Sequence, residues 1–181
     1  MKIAVSGAHC TGKTTLVEKL HRVLPAHAMV DEPYCLMAEE GHEFAAMPDL
    51  QDFELQLERS IQLIADTEEN SIFDRCPADL LAYLITHRQS REFEVETWLP
   101  RSQGAMARLD LVVYVPIEEP DRIPFNDSDD GGLRDRVDEE LREILLGDRW
   151  GMSANTLKVT GTEEERLDQV LAHIQPARRK T

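Results

Sequence analysis

One stretch near the start of the chain has the residue types and spacing of a phosphate-binding loop. Residues 7–14 read Gly-Ala-His-Cys-Thr-Gly-Lys-Thr, which matches the pattern G-x-x-x-x-G-K-[ST]. The two glycines let backbone N–H groups curl around phosphate oxygens, and a helix that follows adds partial positive charge. Lys13 would reach the β- and γ-phosphates of a nucleotide, and the Thr14 hydroxyl would bind Mg²⁺. The candidate nucleotide-binding residues are Gly7, Ala8, His9, Cys10, Thr11, Gly12, Lys13, Thr14 and Thr15.

Charged side chains at the ends of two further predicted strands could complete a site for phosphoryl transfer. Glu32 ends the second predicted strand, and Asp74 and Arg75 end the third. Ligands of parallel sheets bind at the carboxyl ends of strands, so these residues flank the loop if the first strand is central. Asp74 could hold magnesium, Glu32 could take a proton from an acceptor hydroxyl, and Arg75 could bind a phosphate. The alternative is that all three are ordinary solvated charges.

The segment from about residue 118 to 136 is predicted to be an exposed loop that closes over the site. It contains proline, glycine and a run of acids, and Arg134 and Arg136 lie where the next helix begins. An arginine that closes over a γ-phosphate contributes a factor of about 10³–10⁵ in rate where such residues have been measured. We favour Arg134 for this role, and then Arg136. The alternative is that both form surface ion pairs with neighbouring acids.

Alternating strands and helices are predicted to position these residues. Short apolar runs indicate five strands, at residues 2–6, 28–32, 71–74, 111–115 and 156–160. Apolar residues at helical spacing indicate helices that begin near residues 13, 33, 50, 77, 133 and 163, and a helical stretch over 91–108 that is interrupted at Pro100. This alternation predicts an α/β fold with a mostly parallel sheet and helices on both faces, as a single domain over residues 1–175.

The order of these motifs resembles the small P-loop kinases of the nucleoside and nucleotide kinase group. The resemblance rests on the loop at 7–14, on Glu-Pro at 32–33, and on Asp-Arg at 74–75 followed by Pro-Ala-Asp-Leu-Leu-Ala-Tyr at 77–83. The chain looks most similar to the AAA-type ATPase/kinase family related to ribosylnicotinamide kinase, and less similar to deoxynucleoside kinases. The resemblance implies a P-loop NTPase three-layer sandwich with strand order 2-3-1-4-5, Glu32 as the base, Asp74 directed toward magnesium, and a mobile lid that carries arginines.

Composition and charge narrow the classes of partner. The chain has 181 residues, 41% hydrophobic and 30% charged, which suffices for one core and argues against disorder. A net charge of -15 disfavours binding to nucleic acid or to an anionic membrane, and the basic tail at 176–181 is predicted to be a frayed terminus. No apolar run approaches the ~20 residues of a membrane span, and the three cysteines form no CxxC pair. We therefore expect a cytoplasmic protein.

Together these features predict an Mg-ATP-dependent kinase whose partners are a nucleotide and a small hydroxyl-bearing acceptor, preferably a nucleoside or a riboside such as nicotinamide riboside. The predicted catalytic residues are Lys13, Glu32, Asp74 and Arg134, with Thr14 and Asp74 as magnesium ligands and Arg75 and Arg136 as further ATP-binding residues. On the long helix near residue 50, Gln56 and Arg59 could bind a base or sugar, or could form an exposed helix face.

The sequence leaves two alternative functions to consider. It is also compatible with a homodimer. The main alternative is a regulatory ATP- or GTP-binding ATPase module that acts through a protein partner. A guanine-recognition motif of the type Asn-Lys-x-Asp or Thr-Lys-x-Asp, which would favour a GTP switch, is not found in the sequence. A polynucleotide end kinase is disfavoured by the net charge.

Overall fold

A parallel sheet forms the centre of the fold. The computed structural model describes residues 1–45, 48–67, 69–121, 123, 132–152 and 155–174. Within these ranges five strands form an all-parallel sheet in the order β2-β3-β1-β4-β5. The strands are β1 (Lys2–Ser6), β2 (Ala28–Val30), β3 (Ser71–Asp74), β4 (Leu111–Tyr114) and β5 (Thr156–Lys158). The expected α/β fold and its strand order are confirmed.

Seven α-helices of the described residues cover both faces of the sheet. They are α1 (Lys13–Val23), α2 (Pro33–Glu39), α3 (Leu50–Asp66), α4 (Pro77–Thr86), α5 (Val95–Met106), α6 (Leu133–Leu145) and α7 (Glu163–Ile174). One core lies between the sheet and α3, α4, α5 and α6, and a second lies between the sheet and α1 and α7. Successive strand residues point to opposite faces, so Ala4 enters the first core while Ile3 and Val5 enter the second.

The register of the central strands brings the predicted site residues to one edge of the sheet. Val5 of β1 lies opposite Asp74 of β3, and Ser6 lies opposite Tyr114 of β4. The pairing continues one residue further on each side, where Arg75 N–H donates to Val5 at 3.0 Å and Val115 N–H donates to Ser6 at 2.8 Å. The end of β1 is therefore held between two neighbours at the point where the phosphate-binding loop begins.

Some element boundaries differ from expectation. The interruption predicted at Pro100 is wrong, because α5 continues through this residue. Proline removes one backbone hydrogen bond, and burial of Ala105 and Met106 against the core offsets that loss. Strand β2 ends at Val30, so Glu32 lies in the turn before α2.

No helix in the described ranges is both long and apolar enough to cross a membrane. Much of the predicted lid (residue 122 and residues 124–131) and the basic tail at 176–181 lie outside the described residues.

Candidate functional site

The phosphate-binding loop connects β1 to α1, and its backbone requires glycine at two positions. Gly7 directly follows β1, and a Cβ atom there would overlap the carbonyl oxygen of Val115 at the end of the neighbouring strand. Gly12 has a φ of 89°, a left-handed conformation that side chains disfavour. A Cβ atom on Gly12 would also come within 3.1 Å of Nη1 of Arg166. The loop is therefore packed closely against both the end of β4 and the last helix.

Two residues of α4 hold the beginning of the loop. The carboxylate of Asp79 is completely buried and accepts hydrogen bonds from the N–H groups of Gly7 at 3.0 Å and Cys76 at 2.9 Å. One helical turn later, the hydroxyl of Tyr83 accepts a hydrogen bond from the N–H of His9 at 3.0 Å. The same hydroxyl lies 2.9 Å from Nδ1 of the His9 ring. Helix α4 thus fixes the path of the chain from strand into loop.

Arg134, in the first turn of α6, lies against the outside of the loop. Its Nε donates to the carbonyl of His9 and its Nη2 donates to the carbonyl of Cys10, both at 2.9 Å. The remaining nitrogen, Nη1, pairs with the Asp121 carboxylate at 2.5 Å. Arg134 therefore lies beside the nucleotide loop, and its closure over a phosphate stays a prediction. Arg136 lies on the exposed side of α6.

A second arginine, Arg166 of α7, holds the next part of the loop. Its Nη1 donates to the carbonyl of Thr11 at 2.6 Å, and its Nη2 pairs with the Glu118 carboxylate at 2.7 Å. The same oxygen of Glu118 accepts a hydrogen bond from the N–H of Gly161 at 2.9 Å. Arg166 thus ties the loop to the segment after β4 and to the turn before α7.

Lys13 begins α1, and its side chain folds back into the loop. The side chain is buried, and Nζ donates to the carbonyl of Ala8 at 2.6 Å. Burial and the positive charge of Arg75 lower the pKa of Lys13 to about 8, although three nearby carboxylates oppose this shift. A bound polyphosphate would add negative charge beside this buried ammonium group and favour its charged form.

Thr14 and Asp74 form a pair that fits a magnesium ion. The Thr14 hydroxyl donates to Oδ2 of Asp74 at 2.6 Å. The other carboxylate oxygen, Oδ1, is buried and has no hydrogen-bond partner among the described residues. Burial raises the pKa of Asp74, against the opposing effects of the Thr14 hydrogen bond and the Lys13 charge. Hydroxyl, carboxylate and phosphate oxygens are ligands that Mg²⁺ prefers, so the orphaned oxygen has a chemical explanation.

Arg75 connects the loop edge to Glu32. It directly follows β3 and adopts a left-handed backbone conformation, with a φ of 81°. Its Nε donates to Oε2 of Glu32 at 2.7 Å, and its guanidinium carbon lies 5.2 Å from the centre of the Tyr83 ring. The predicted strand-end residues Glu32 and Arg75 are therefore brought together, as an ion pair rather than as separate solvated charges.

The Arg75–Glu32 pair keeps both groups charged. Burial raises the pKa of Glu32, but the charge and hydrogen bond of Arg75, with a contribution from Lys13, outweigh it and leave the pKa below its ordinary value. Burial likewise opposes ionisation of Arg75, yet Tyr83, Glu32 and Asp79 raise its pKa above the ordinary value. Glu32 is consequently a carboxylate at neutral pH and can accept a proton.

A cavity of about 200 Å³ adjoins the loop and the Glu32 carboxylate. The rings of Phe53 and Tyr83, which both line it, stack on each other with centres 5.2 Å apart and planes 8° apart, so part of the lining is aromatic. The full lining comprises His9, Glu32, Tyr34, Pro48, Phe53, Gln56, Arg75, Leu80 and Tyr83. Because His9 belongs to the loop, the cavity opens directly onto the place where phosphates would bind.

Of the two polar residues on α3 that were candidates for binding a base or sugar, one lines the cavity and the other lies outside it. Gln56 is buried, lines the cavity, and donates from Nε2 to the carbonyl of Asp52 at 3.2 Å. Arg59 instead pairs with Glu40 and does not line the cavity.

A second cavity, of about 470 Å³, lies on the α7 side of the loop. The loop contributes Gly12 to its lining, and α1 contributes Thr15. The turn before α7 and the first two residues of that helix contribute residues 161–164. Ile123 and Arg166 complete the lining. The loop thus has a cavity beside each of its ends.

Three residues that hold the loop were given no role by sequence reasoning. Asp79 is the third residue of α4 and forms a capping box with Cys76, a residue that is seldom an N-cap and so gives no signal. Tyr83 belongs to the stretch at residues 77–83 that carries the family resemblance, but the sequence did not predict its contact with His9. Arg166 bonds a carbonyl 155 positions away, which no local pattern could indicate.

Comparisons with known proteins identify the fold and the family of the chain. A family model described as an AAA domain, AAA_28, matches residues 2–166. No curated protein matches the chain. Thymidylate kinase from Ehrlichia chaffeensis superimposes with a TM-score of 0.67 at 12% identity, over 97% of this chain and 98% of that one. Deoxyadenosine kinase from M. mycoides, with products bound, gives 0.66 at 13%, over 96% and 98%.

A third neighbour is larger than this chain. A NadR protein in complex with NR gives a TM-score of 0.63 at 17% identity, over 93% of this chain but 49% of that one, so the chain spans about half of it. At these identities the structural likeness establishes the fold, which is that of P-loop kinases. The family model covers nearly the whole chain, from β1 into α7. The chain therefore belongs to the AAA_28 family of AAA domains.

Proposed function

We propose that the protein transfers the γ-phosphoryl group of Mg-ATP to a hydroxyl of a small acceptor, a nucleoside or a riboside such as nicotinamide riboside. The observation that carries this proposal is the cavity that His9 of the loop and the Glu32 carboxylate line together. A loop that only binds and hydrolyses a nucleotide has no need of an aromatic cavity with an ionised carboxylate beside its phosphates.

On the nucleotide side, the triphosphate lies in the loop and its base in the second cavity, between Thr15 and the turn before α7. Lys13 neutralises the β- and γ-phosphates, and Thr14 and Asp74 hold Mg²⁺. When bound, Mg²⁺ shields the charge of the phosphate oxygens. Arg134 and Arg136 are the proposed lid arginines, with Arg134 nearer to the loop.

On the acceptor side, the stacked rings of Phe53 and Tyr83 make part of the cavity aromatic, which suits a planar base. Gln56 supplies an amide in the same cavity and would hydrogen-bond the base or the sugar. The likeness to the deoxyadenosine kinase and to the NadR protein in complex with NR supports an acceptor of this kind.

In the proposed transfer, an acceptor hydroxyl oxygen forms a bond to the γ-phosphorus while the bond to the β–γ bridging oxygen breaks, and ADP leaves. Arg75 holds Oε2 of Glu32, which leaves Oε1 to receive the hydroxyl proton. Among the described residues, Oε1 has only a long contact of 3.7 Å, from Sγ of Cys35. The proton passes from Glu32 to solvent after the products leave.

Phosphoryl transfer itself is the test. The protein would be incubated with Mg-ATP and a pool of ribosides, deoxyribosides and nucleotides, and mass spectrometry would identify any species that gains a phosphate. Lys13→Ala is expected to abolish the product. Glu32→Gln is expected to bind ATP normally and to lose transfer by about 10²–10⁴-fold, the usual contribution of a general base. Glu40→Gln, which changes a glutamate that pairs with an arginine outside the cavity, is the matched control.

The results of this assay distinguish a kinase from a regulatory ATPase module. Undiminished transfer by Glu32→Gln would remove that residue from the role of base. ATP or GTP binding without any phosphorylated acceptor would instead favour the regulatory ATPase module, which acts through a protein partner.

A further inference from the structure

Three consecutive carbonyl groups of the loop are held by arginine side chains from outside it. Arg134 bonds the carbonyls of His9 and Cys10, and Arg166 bonds the carbonyl of Thr11. The distances, 2.9, 2.9 and 2.6 Å, are those of charge-assisted hydrogen bonds. Both arginines are buried, at 3% and 6% exposed, so water competes little for these carbonyls.

The planarity of the peptide bond gives these contacts a consequence on the other side of the loop. In a trans peptide unit, the carbonyl of one residue and the N–H of the next point in opposite directions. Holding three carbonyls outward therefore directs the N–H groups of Cys10, Thr11 and Gly12 inward. These are N–H groups that a loop of this pattern offers to phosphate oxygens.

The charge of each arginine is already balanced by a carboxylate. Arg166 pairs with Glu118 at 2.7 Å, and Arg134 pairs with Asp121 at 2.5 Å. Glu118 is itself anchored by the N–H of Gly161. A guanidinium engaged by a carbonyl and a carboxylate is suited to holding the backbone in place.

We propose that Arg166 is a positioning residue that prealigns the backbone N–H groups of the loop for a polyphosphate chain. This inference rests on the proposed use of the loop for nucleotide binding. It assigns Arg166 a role that depends on the phosphates alone, not on the base and not on the γ-phosphate in particular. The role follows from the α7-to-loop contact, and no lid movement enters into it.

The experiment measures the dissociation constants of Mg-ATP, Mg-ADP and magnesium tripolyphosphate by calorimetry, with no acceptor present. Arg166→Gln is expected to weaken all three by the same factor, about tenfold or more, which corresponds to the loss of one charge-assisted hydrogen bond. Arg101→Gln, which removes an arginine paired with Glu58 on the surface, is the matched control and should change none of them.

Three other patterns of change in these dissociation constants would each overturn the inference. Loss of ATP and ADP affinity with unchanged tripolyphosphate affinity would mean that Arg166 contacts the base. Loss of ATP and tripolyphosphate affinity with unchanged ADP affinity would mean that it contacts the γ-phosphate. Three unchanged constants, together with a lowered melting temperature, would mean that Arg166 only stabilises the fold.

A second variant covers the case in which Arg166→Gln does not fold. Arg166→Lys keeps the positive charge but loses the planar fork whose two nitrogens bond Thr11 and Glu118, so all three affinities should fall equally and by a smaller factor. Unequal or unchanged affinities in a folded Arg166→Lys protein would overturn the inference. Because no acceptor is present, a missing kinase product would refute the proposed function and leave this result standing. A wild-type protein that bound none of the three probes would refute both.

Discussion

Replacing Asp79 by alanine tests how far the entry to the phosphate-binding loop depends on one buried carboxylate. Asp79 is completely buried and accepts the N–H groups of Gly7 and Cys76. The alanine variant leaves both donors without a partner in a place that water does not reach. It also removes a carboxylate that lies 3.8 Å from Nη1 of the buried Arg75.

The expected cost follows from those two donors. Each buried N–H group left unsatisfied costs about 1–3 kcal/mol, so Asp79→Ala should lower the free energy of unfolding by about 2–6 kcal/mol. For a chain of this size, 1 kcal/mol corresponds to a change of about 2–4 °C in melting temperature. The variant should therefore melt at least about 4 °C below the wild-type protein.

Thermal unfolding followed by circular dichroism measures this difference. The matched control is Glu165→Ala, since Glu165 caps α7 in the same way, through a 2.7 Å bond from the N–H of Thr162, but on the exposed surface. Water can replace the lost acceptor there, so the control should cost about 1 kcal/mol or less. If the two variants melted at the same temperature, the reasoning about the buried donors would be refuted.

The remaining predictions concern the carboxylate, the glycines and the aromatic surface. Since Arg75 holds the pKa of Glu32 below its ordinary value and the base must be ionised, the acid limb of the kcat/KM profile should lie at low pH. Arg75→Met should move that limb to higher pH, and an unmoved limb would exclude Glu32 as the titrating base. Gly7→Ala should destabilise the protein in chemical denaturation, because its Cβ atom would overlap a backbone oxygen. Its control is Gly104→Ala within α5, where an added Cβ atom would meet no neighbour. It should stabilise by up to about 1 kcal/mol, and equal effects would contradict the packing argument. Phe53→Leu should raise KM for the acceptor in steady-state kinetics while KM for ATP stays constant; a change in KM for ATP alone would place the aromatic surface elsewhere in the reaction.

The sequence predicted the parts of the site that are encoded locally. The loop at residues 7–14 combines glycines, a lysine and a threonine in one contiguous pattern, flanked by a strand and a helix that each have a clear periodicity. Asp74 and Arg75 could be placed because they end a short apolar strand, and parallel strands end at a common edge. For the loop and for the strand end alike, the pattern that supports the prediction lies within about ten consecutive residues.

The contacts that hold the loop from outside could not be predicted in this way. Arg134 and Arg166 reach the loop across 124 and 155 positions. The sequence predicted Arg134 as a lid arginine without its contacts to the loop carbonyls, and Arg166 looks like a solvated helix residue in its own neighbourhood. Gln56 was ambiguous for a related reason, since one polar residue on an amphipathic helix does not reveal whether a cavity lies beside it. Tertiary packing decides these positions, and the periodicity of a single element does not report it.

The left-handed backbone of Arg75 has a consequence for how this position can change over evolutionary time. A residue with a side chain at such a φ carries a strain of about 1–3 kcal/mol, which glycine avoids. Drift under selection for folding alone would therefore lead toward glycine or asparagine at this position. Retention of arginine at position 75 among relatives would therefore indicate selection for its charge. We expect relatives with glycine at this position to bind nucleotides but to have lost the Glu32-dependent step.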